Sequence, residues 1–152
     1  MKTTYLSQQD AGCGPRQAPS TGPRARPRAL IVDDDEDMRE LYAWCLRAAG
    51  WIAEAVVNGE EVLLVAPAFA PHVIVMDLRL PVIGGLEASR RLKANPVTTH
   101  IPIVGISGAD PVQAEALAKE AGCKEFVAKP YPPERLRALL EDLVTGRNGS
   151  CA

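Results

Sequence analysis

The chain has 152 residues, 47% of them hydrophobic and 24% charged, and a formal net charge of −2. That is one domain's worth of sequence with enough apolar side chains for a core, which excludes a chain disordered throughout. No apolar run nears the roughly 20 residues a membrane-spanning helix needs, and the residues after Met1 and Lys2 are too polar for a signal peptide, so a cytoplasmic protein without membrane contact is expected.

The charge is unevenly spread. Lys2, Arg16, Arg24, Arg26 and Arg28 face Asp10 alone within the first 28 residues, a net +4, leaving −6 for the remainder. Three Gly and four Pro lie between Gly12 and Arg28 with almost no large apolar side chain. Such a segment cannot bury enough surface to offset its ordering entropy, so 1–27 reads as a disordered basic arm, 145–152 as a flexible tail and 28–144 as the folded unit. The arm's arginines are few and lack interleaved aromatics, which favours a solvated tail over a nucleic-acid contact. Cys13, Cys45, Cys123 and Cys151 are widely separated, and His72 and His100 precede apolar runs, so neither a zinc site nor a disulfide framework is expected.

Within the folded unit, short apolar runs alternate with helical periodicity. Ala29–Val32 is a strand stopped by acids. Met38, Leu41, Tyr42, Cys45, Leu46 and Ala49 form one helical stripe, closed by Gly50. Trp51–Val57 is a second strand. Asn58 with Glu61 signals the cap of a helix ending before Pro67. Val73–Met76 is a third strand, again ended by an aspartate. Leu86–Ala94 is a helix between Gly84-Gly85 and Asn95-Pro96, and Ile101–Ile106 a fourth strand. Asp110-Pro111 opens a helix running to Gly122. Lys124–Ala128 is the fifth strand, and a last helix begins at Pro132-Pro133, burying Leu136, Leu139, Leu140 and Leu143.

Five strands alternating with five helices, the strands apolar on both faces, predict an α/β fold: a doubly wound, five-stranded parallel sheet with helices on each side. Chemistry is then expected outside the carboxyl ends of the strands. There the sequence puts Asp33-Asp34-Asp35, Asp77, Ser107 and Lys129. Crowded carboxylates raise one another's pKa unless a cation lies among them, and oxygen ligands suit a hard ion such as Mg²⁺. No phosphate-cradling glycine loop follows the first strand.

The pieces LIVDDDED (30–37), VIVMDLRLP (73–81) with GGLE (84–87), IVGISGA (103–109) and FVAKP (126–130) resemble, in order, the receiver domain of two-component response regulators. The resemblance covers about 28–144 and implies the (βα)5 flavodoxin-like receiver fold. It implies that Asp77 is the nucleophile taking a phosphoryl group from a sensor histidine kinase or histidine phosphotransfer protein. Asp33, Asp34, Asp77 and the Arg79 backbone carbonyl would hold Mg²⁺, which screens acceptor from donor. Lys129 would contact Asp77 before transfer and a phosphoryl oxygen after it, and Ser107 would donate its hydroxyl to another. Drawing Ser107 inward would let Phe126 rotate into the vacated space and alter the surface of the fourth helix, fifth strand and fifth helix. It also implies a cis Lys129-Pro130 peptide.

Gly84-Gly85 stands where many family members have Asp-Gly, and Phe126 lacks a tyrosine's hydroxyl. Arg79 is a bulky cation beside the acceptor, at a position that, with Ala109, tunes phosphoryl lifetime in the family, and is expected to alter hydrolysis. Asp35, Glu36 and Asp37 read as residues favouring the positive end of the first helix.

No DNA-binding domain fits after Leu143, so the expectation is a stand-alone regulator signalling to a downstream protein target. It would bind no nucleic acid by itself and act as no enzyme beyond its own phosphorylation and dephosphorylation. Homodimerisation through the switch surface stays open. The alternatives are a phosphorylation-independent receiver-like binding module, or a haloacid-dehalogenase-type phosphatase built on Asp33-x-Asp35. That second alternative lacks the downstream acidic pair and the cap domain.

Overall fold

The computed structural model describes residues 25–146; the expected arm up to residue 24 and the tail from 147 lie outside them. Ten elements alternate: β1 (Arg28–Val32), α1 (Glu36–Ala48), β2 (Ile52–Val56), α2 (Gly59–Phe69), β3 (Val73–Asp77), α3 (Gly85–Ala94), β4 (Ile103–Ser107), α4 (Pro111–Glu120), β5 (Glu125–Ala128) and α5 (Pro133–Thr145). The strands make one parallel sheet in the order β2-β1-β3-β4-β5. This is the expected doubly wound α/β architecture. The chain turns back between β1 and β3, so their carboxyl ends flank the crevice where such sheets carry their sites.

Local chemistry sets most boundaries. Asp35 caps α1 by accepting from the Asp37 N–H at 3.0 Å, and Glu36 and Asp37 sit in the first turn, favoured by the helix dipole. Asn58 Oδ1 accepts from Glu61 N at 2.8 Å while Glu61 Oε1 accepts from Val57 N at 2.9 Å, a reciprocal cap on α2. Gly50 and Gly122 follow α1 and α4 with φ of +96° and +97°, the left-handed geometry of helix ends.

Several expectations are corrected. α2 does not stop before Pro67 but continues to Phe69. Pro67 lies in the last turn, where its ring costs one backbone bond, and the Arg28 guanidinium satisfies the terminal carbonyls of Phe69 and Ala70 at 3.1 and 2.7 Å. Leu41 and Ala49 leave the buried stripe of α1, and Leu41 is 44% exposed. The helix covers the edge strand β2, so one flank of its stripe overhangs solvent and Ala43 is buried instead. β4 begins at Ile103 rather than Ile101 because Pro102 has no N–H to donate; its carbonyl still accepts from Ile74 N at 3.0 Å.

The fold engages the chain two residues before the expected boundary. Arg26 Nε donates to the Gly50 carbonyl at 2.9 Å and Pro27 accepts from Ile52 N at 2.9 Å. Thr145 belongs to α5, its hydroxyl bonded to the Glu141 carbonyl at 2.8 Å.

Alternation of side chains along the buried strands divides the core in two. Ala29, Ile31, Val73, Val75, Val104 and Ile106 face α1 and α5, against Tyr42, Leu46, Trp51, Leu136 and Leu140. Leu139 and Leu143, expected in the core, pack against it half-buried. Leu30, Val32, Ile74, Met76 and Ile103 face the other layer, with Val62, Ala88, Leu92 and Ala118. No helix among the described residues is long and apolar enough to cross a membrane.

Candidate functional site

Four strand ends converge on one cavity of about 490 Å³, lined by Asp34, Asp35, Asp77, Arg79, Gly108 and Lys129. Asp33 and Asp77 are almost fully buried, 1% and 5% exposed, whereas Asp34 is exposed on the rim. The carboxylates of Asp33, Asp34 and Asp77 each offer an oxygen within 4.8 Å of the others. The Lys129 ammonium reaches between two of them, 3.0 Å from Asp77 Oδ2 and 3.3 Å from Asp33 Oδ2.

Each acid is oriented through its backbone surroundings. Asp33 extends β1 by donating its N–H to the Val56 carbonyl at 3.2 Å, and its Oδ1 accepts from Asp35 N at 2.9 Å. Asp77 ends β3, and its Oδ1 accepts from Arg79 N at 2.9 Å. Its Oδ2 is therefore the oxygen shared with Lys129. Gly85 makes this arrangement possible: any Cβ there would strike the Asp77 carbonyl oxygen and the Leu78 Cα. Gly59 similarly admits the Ile83 backbone of the loop between β3 and α3, while Gly84, the position that departs from the common family pattern, has open space.

Burial holds the Asp77 carboxyl above its usual range, opposed by the hydrogen bonds from Arg79 N and Lys129 and reinforced by the nearby Asp33 charge. Burial alone would lower the Lys129 pKa, but its bonds and proximity to Asp77 and Asp33 leave it raised. One lysine faces three carboxylates, an excess of negative charge with an all-oxygen donor set. A hard divalent cation, with oxygen ligands at about 2.1 Å for Mg²⁺, fits that set.

Ser107, at the end of β4, is 2% exposed, and its Oγ accepts from Ala109 N at 3.1 Å. Its side chain borders a second cavity, a cleft of about 210 Å³ between α3 and α4 also lined by Leu78, Leu86, Ala114 and Leu117. Arg79 lines both cavities. Phe126 pairs in register with Gly105 and is half-buried among the side chains under α4. The Lys129-Pro130 peptide is cis.

The convergence of Asp33, Asp34, Asp77 and Lys129 was readable from their places after apolar runs. The part of Gly85 was not, because a glycine's contacts are set by a chain segment it does not adjoin. Nor was that of Tyr42, whose hydroxyl donates to the Tyr131 carbonyl at 2.9 Å. Its place in a helical stripe marks it only as a core residue.

Comparison with known proteins agrees with the fold. The family model for the response regulator receiver domain matches residues 29–141. The phosphate regulon transcriptional regulatory protein PhoB of Pseudomonas aeruginosa is 32% identical over 112 residues, covering 74% of this chain and 49% of PhoB. The polar-differentiation response regulator DivK of Brucella anthropi is 31% identical over 106 residues, covering 70% of this chain and 86% of DivK.

Among solved structures, the receiver domain of the sensor histidine kinase PA1611 from Pseudomonas aeruginosa, with a magnesium ion coordinated in its active-site cleft, superposes with a TM-score of 0.74. It is 25% identical, covering 80% of this chain and 99% of that one. The chain spans about half the length of PhoB and of the DNA-binding regulators RpaA and MtrA that it also matches. With five βα units in this order and a family match over most of its length, the chain belongs to the response regulator receiver domains of two-component signalling.

Proposed function

We propose that the chain is a single-domain response regulator that accepts a phosphoryl group on Asp77 from a histidine kinase or histidine phosphotransfer protein, in the cytoplasm, and passes the signal to a protein target. The observation that carries this reading is the buried Asp77 carboxylate, held by Lys129 at 3.0 Å within reach of Asp33 and Asp34. The extent of the match to DivK supports the single-domain form.

Asp33, Asp34 and Asp77 would hold Mg²⁺, together with the Arg79 backbone carbonyl, as the magnesium in the PA1611 receiver supports. The ion supplies charge neutralisation between the anionic acceptor and the anionic phosphoryl group. An Asp77 carboxylate oxygen attacks phosphorus as the phosphorus–nitrogen bond to the donor imidazole breaks; the leaving imidazole keeps the electron pair. Lys129 orients that carboxylate first and then pairs with a phosphoryl oxygen.

Ser107 is the switch residue. In this structure its hydroxyl is engaged with the Ala109 N–H and borders the cleft beside α4. Donation to a phosphoryl oxygen draws it away, and Phe126 moves into the released space. The face of α4, β5 and α5 then changes, for a target protein or a second copy. Arg79, at the junction of the two cavities, tunes how long the phosphoryl group survives.

Incubation with Mg²⁺ and acetyl phosphate tests the reading. Intact-mass spectrometry is expected to show one phosphoryl adduct on the wild type and none on Asp77→Asn. Retention of the adduct by Asp77→Asn overturns the assignment. An Arg79→Ala variant that loses its phosphoryl group at the wild-type rate removes Arg79 from the account.

A further inference from the structure

Lys129 meets Asp77 from a loop with little means of holding itself. In Lys129-Pro130-Tyr131-Pro132-Pro133 three of five residues have no backbone N–H. Among the described residues, two main-chain hydrogen bonds tie positions 129–132 to elements other than α5. The Lys129 N–H donates to the Ser107 carbonyl at 2.8 Å. On the far side of the cis peptide, the Tyr131 carbonyl accepts from the Tyr42 hydroxyl of α1 at 2.9 Å. The bonds from the Arg135 and Leu136 N–H groups to Pro132 belong to the first turn of α5. Lys129 thus hangs between two tethers, one made by its own strand pair and one by a side chain 89 residues away in sequence.

Packing alone does not call for that hydroxyl. The Tyr42 ring, 1% exposed, lies in the cluster of Ile31, Leu46, Leu136 and Leu140, which a phenylalanine ring would also fill. A hydroxyl buried there is costly unless bonded, and its acceptor belongs to the loop that carries Lys129. Burial pushes the phenol up to about 12, so it stays a protonated donor throughout the neutral range.

We infer that Tyr42 is a positioning residue: by anchoring the Tyr131 carbonyl it sets the place of the Lys129 ammonium against Asp77. The inference rests on the reading of Asp77 as phosphoryl acceptor. It also makes α1, which follows the Asp33-Asp34 pair, the element that holds the lysine opposite them.

The test is the rate of adduct formation from acetyl phosphate and Mg²⁺, followed by intact mass, for wild type, Tyr42→Phe, Lys129→Ala and the double variant. Tyr42→Phe is expected to slow acceptance roughly three- to tenfold, the scale of one net hydrogen bond. Added to Lys129→Ala it is expected to slow nothing further, because the group it positions is gone. Tyr42→Leu, also without the hydroxyl, is expected to behave alike and replaces Tyr42→Phe should that variant not fold.

A wild-type rate in Tyr42→Phe overturns the inference, and so does equal slowing in both backgrounds, which would assign the hydroxyl to stability alone. Failure of the wild type itself to form an adduct overturns the Asp77 reading and this inference with it. That result is distinct from a labelled wild type and an equally labelled Tyr42→Phe.

Discussion

The two faces of the sheet are built differently. On one, α1 and α5 are anchored by Tyr42, Leu46, Leu136 and Leu140, each at most 1% exposed. On the other, the buried residues within α4 are Ala114 and Ala118, while Val112 and Leu117 are 80% and 38% exposed. Fully burying a large apolar side chain contributes about 1.5–3 kcal/mol, and an alanine methyl far less. The cleft between α3 and α4 removes further support. The strongly anchored face holds the acids after β1 and, through Tyr42, the lysine; on the other face the weakly anchored helix α4 adjoins Ser107 and Phe126. Under the proposed function, the groups assigned to the transfer sit on the strongly anchored face, and Ser107 and Phe126, assigned to the switch, sit beside α4.

The largest expected effect would break this comparison outright. On formation of the Asp77 adduct, amide hydrogen exchange is expected to change in α4 and the loop before it, and little in α1. A change confined to α1 and α5 would refute the division of labour.

Next in size is the stability contrast. Leu136→Ala is expected to cost about 2–5 kcal/mol in urea unfolding, as a buried truncation does. Leu117→Ala on α4 is expected to cost under about 1 kcal/mol, as most exposed positions do.

The acidic pocket sharpens the comparison from the fixed side. Mg²⁺ at about a hundredfold its Kd is expected to raise unfolding stability by about 2.7 kcal/mol. Asp34→Asn, which removes an exposed ligand candidate, is expected to lose most of that gain in a thermal melt.

The smallest effect is the pH dependence. Asp77 has a folded pKa above its ordinary 3.8, so the ionised form costs stability above the folded value, and that cost fades as pH falls through it. Without divalent cations, Asp77→Asn is therefore expected to be more stable than wild type at pH 7, the gap closing toward pH 4. Lys129, with a raised pKa, contributes stability that is lost only as alkaline pH rises through its folded value. A gap that widens on acidification would contradict the direction for Asp77.

Periodicity and punctuation make most of the fold legible in the sequence. Solid apolar runs closed by Asp33, Asp77, Ser107 and Lys129 imply a parallel sheet with its chemistry on one edge, because strands buried on both faces do not alternate. Caps at Asn58 and Asp110, and glycines at 50 and 122, mark boundaries through backbone chemistry that acts within a few residues. Pro67 misled because proline's cost depends on where in the helix it falls: in the last turn it removes one backbone bond, and the terminal carbonyls of Phe69 and Ala70 are met by Arg28 of β1.

The residue types and their order were thus enough to determine the ten elements, the edge that carries the acids and the lysine, and the family resemblance. Only the tertiary structure decided the strand order, the exposure of Leu41, the need for glycine at position 85 and the bond from Tyr42 to the loop bearing Lys129. The physical reason is range. Caps, turns and hydrophobic period are short-range properties written in neighbouring residues, whereas each of these depends on which distant segment the folded chain brings alongside.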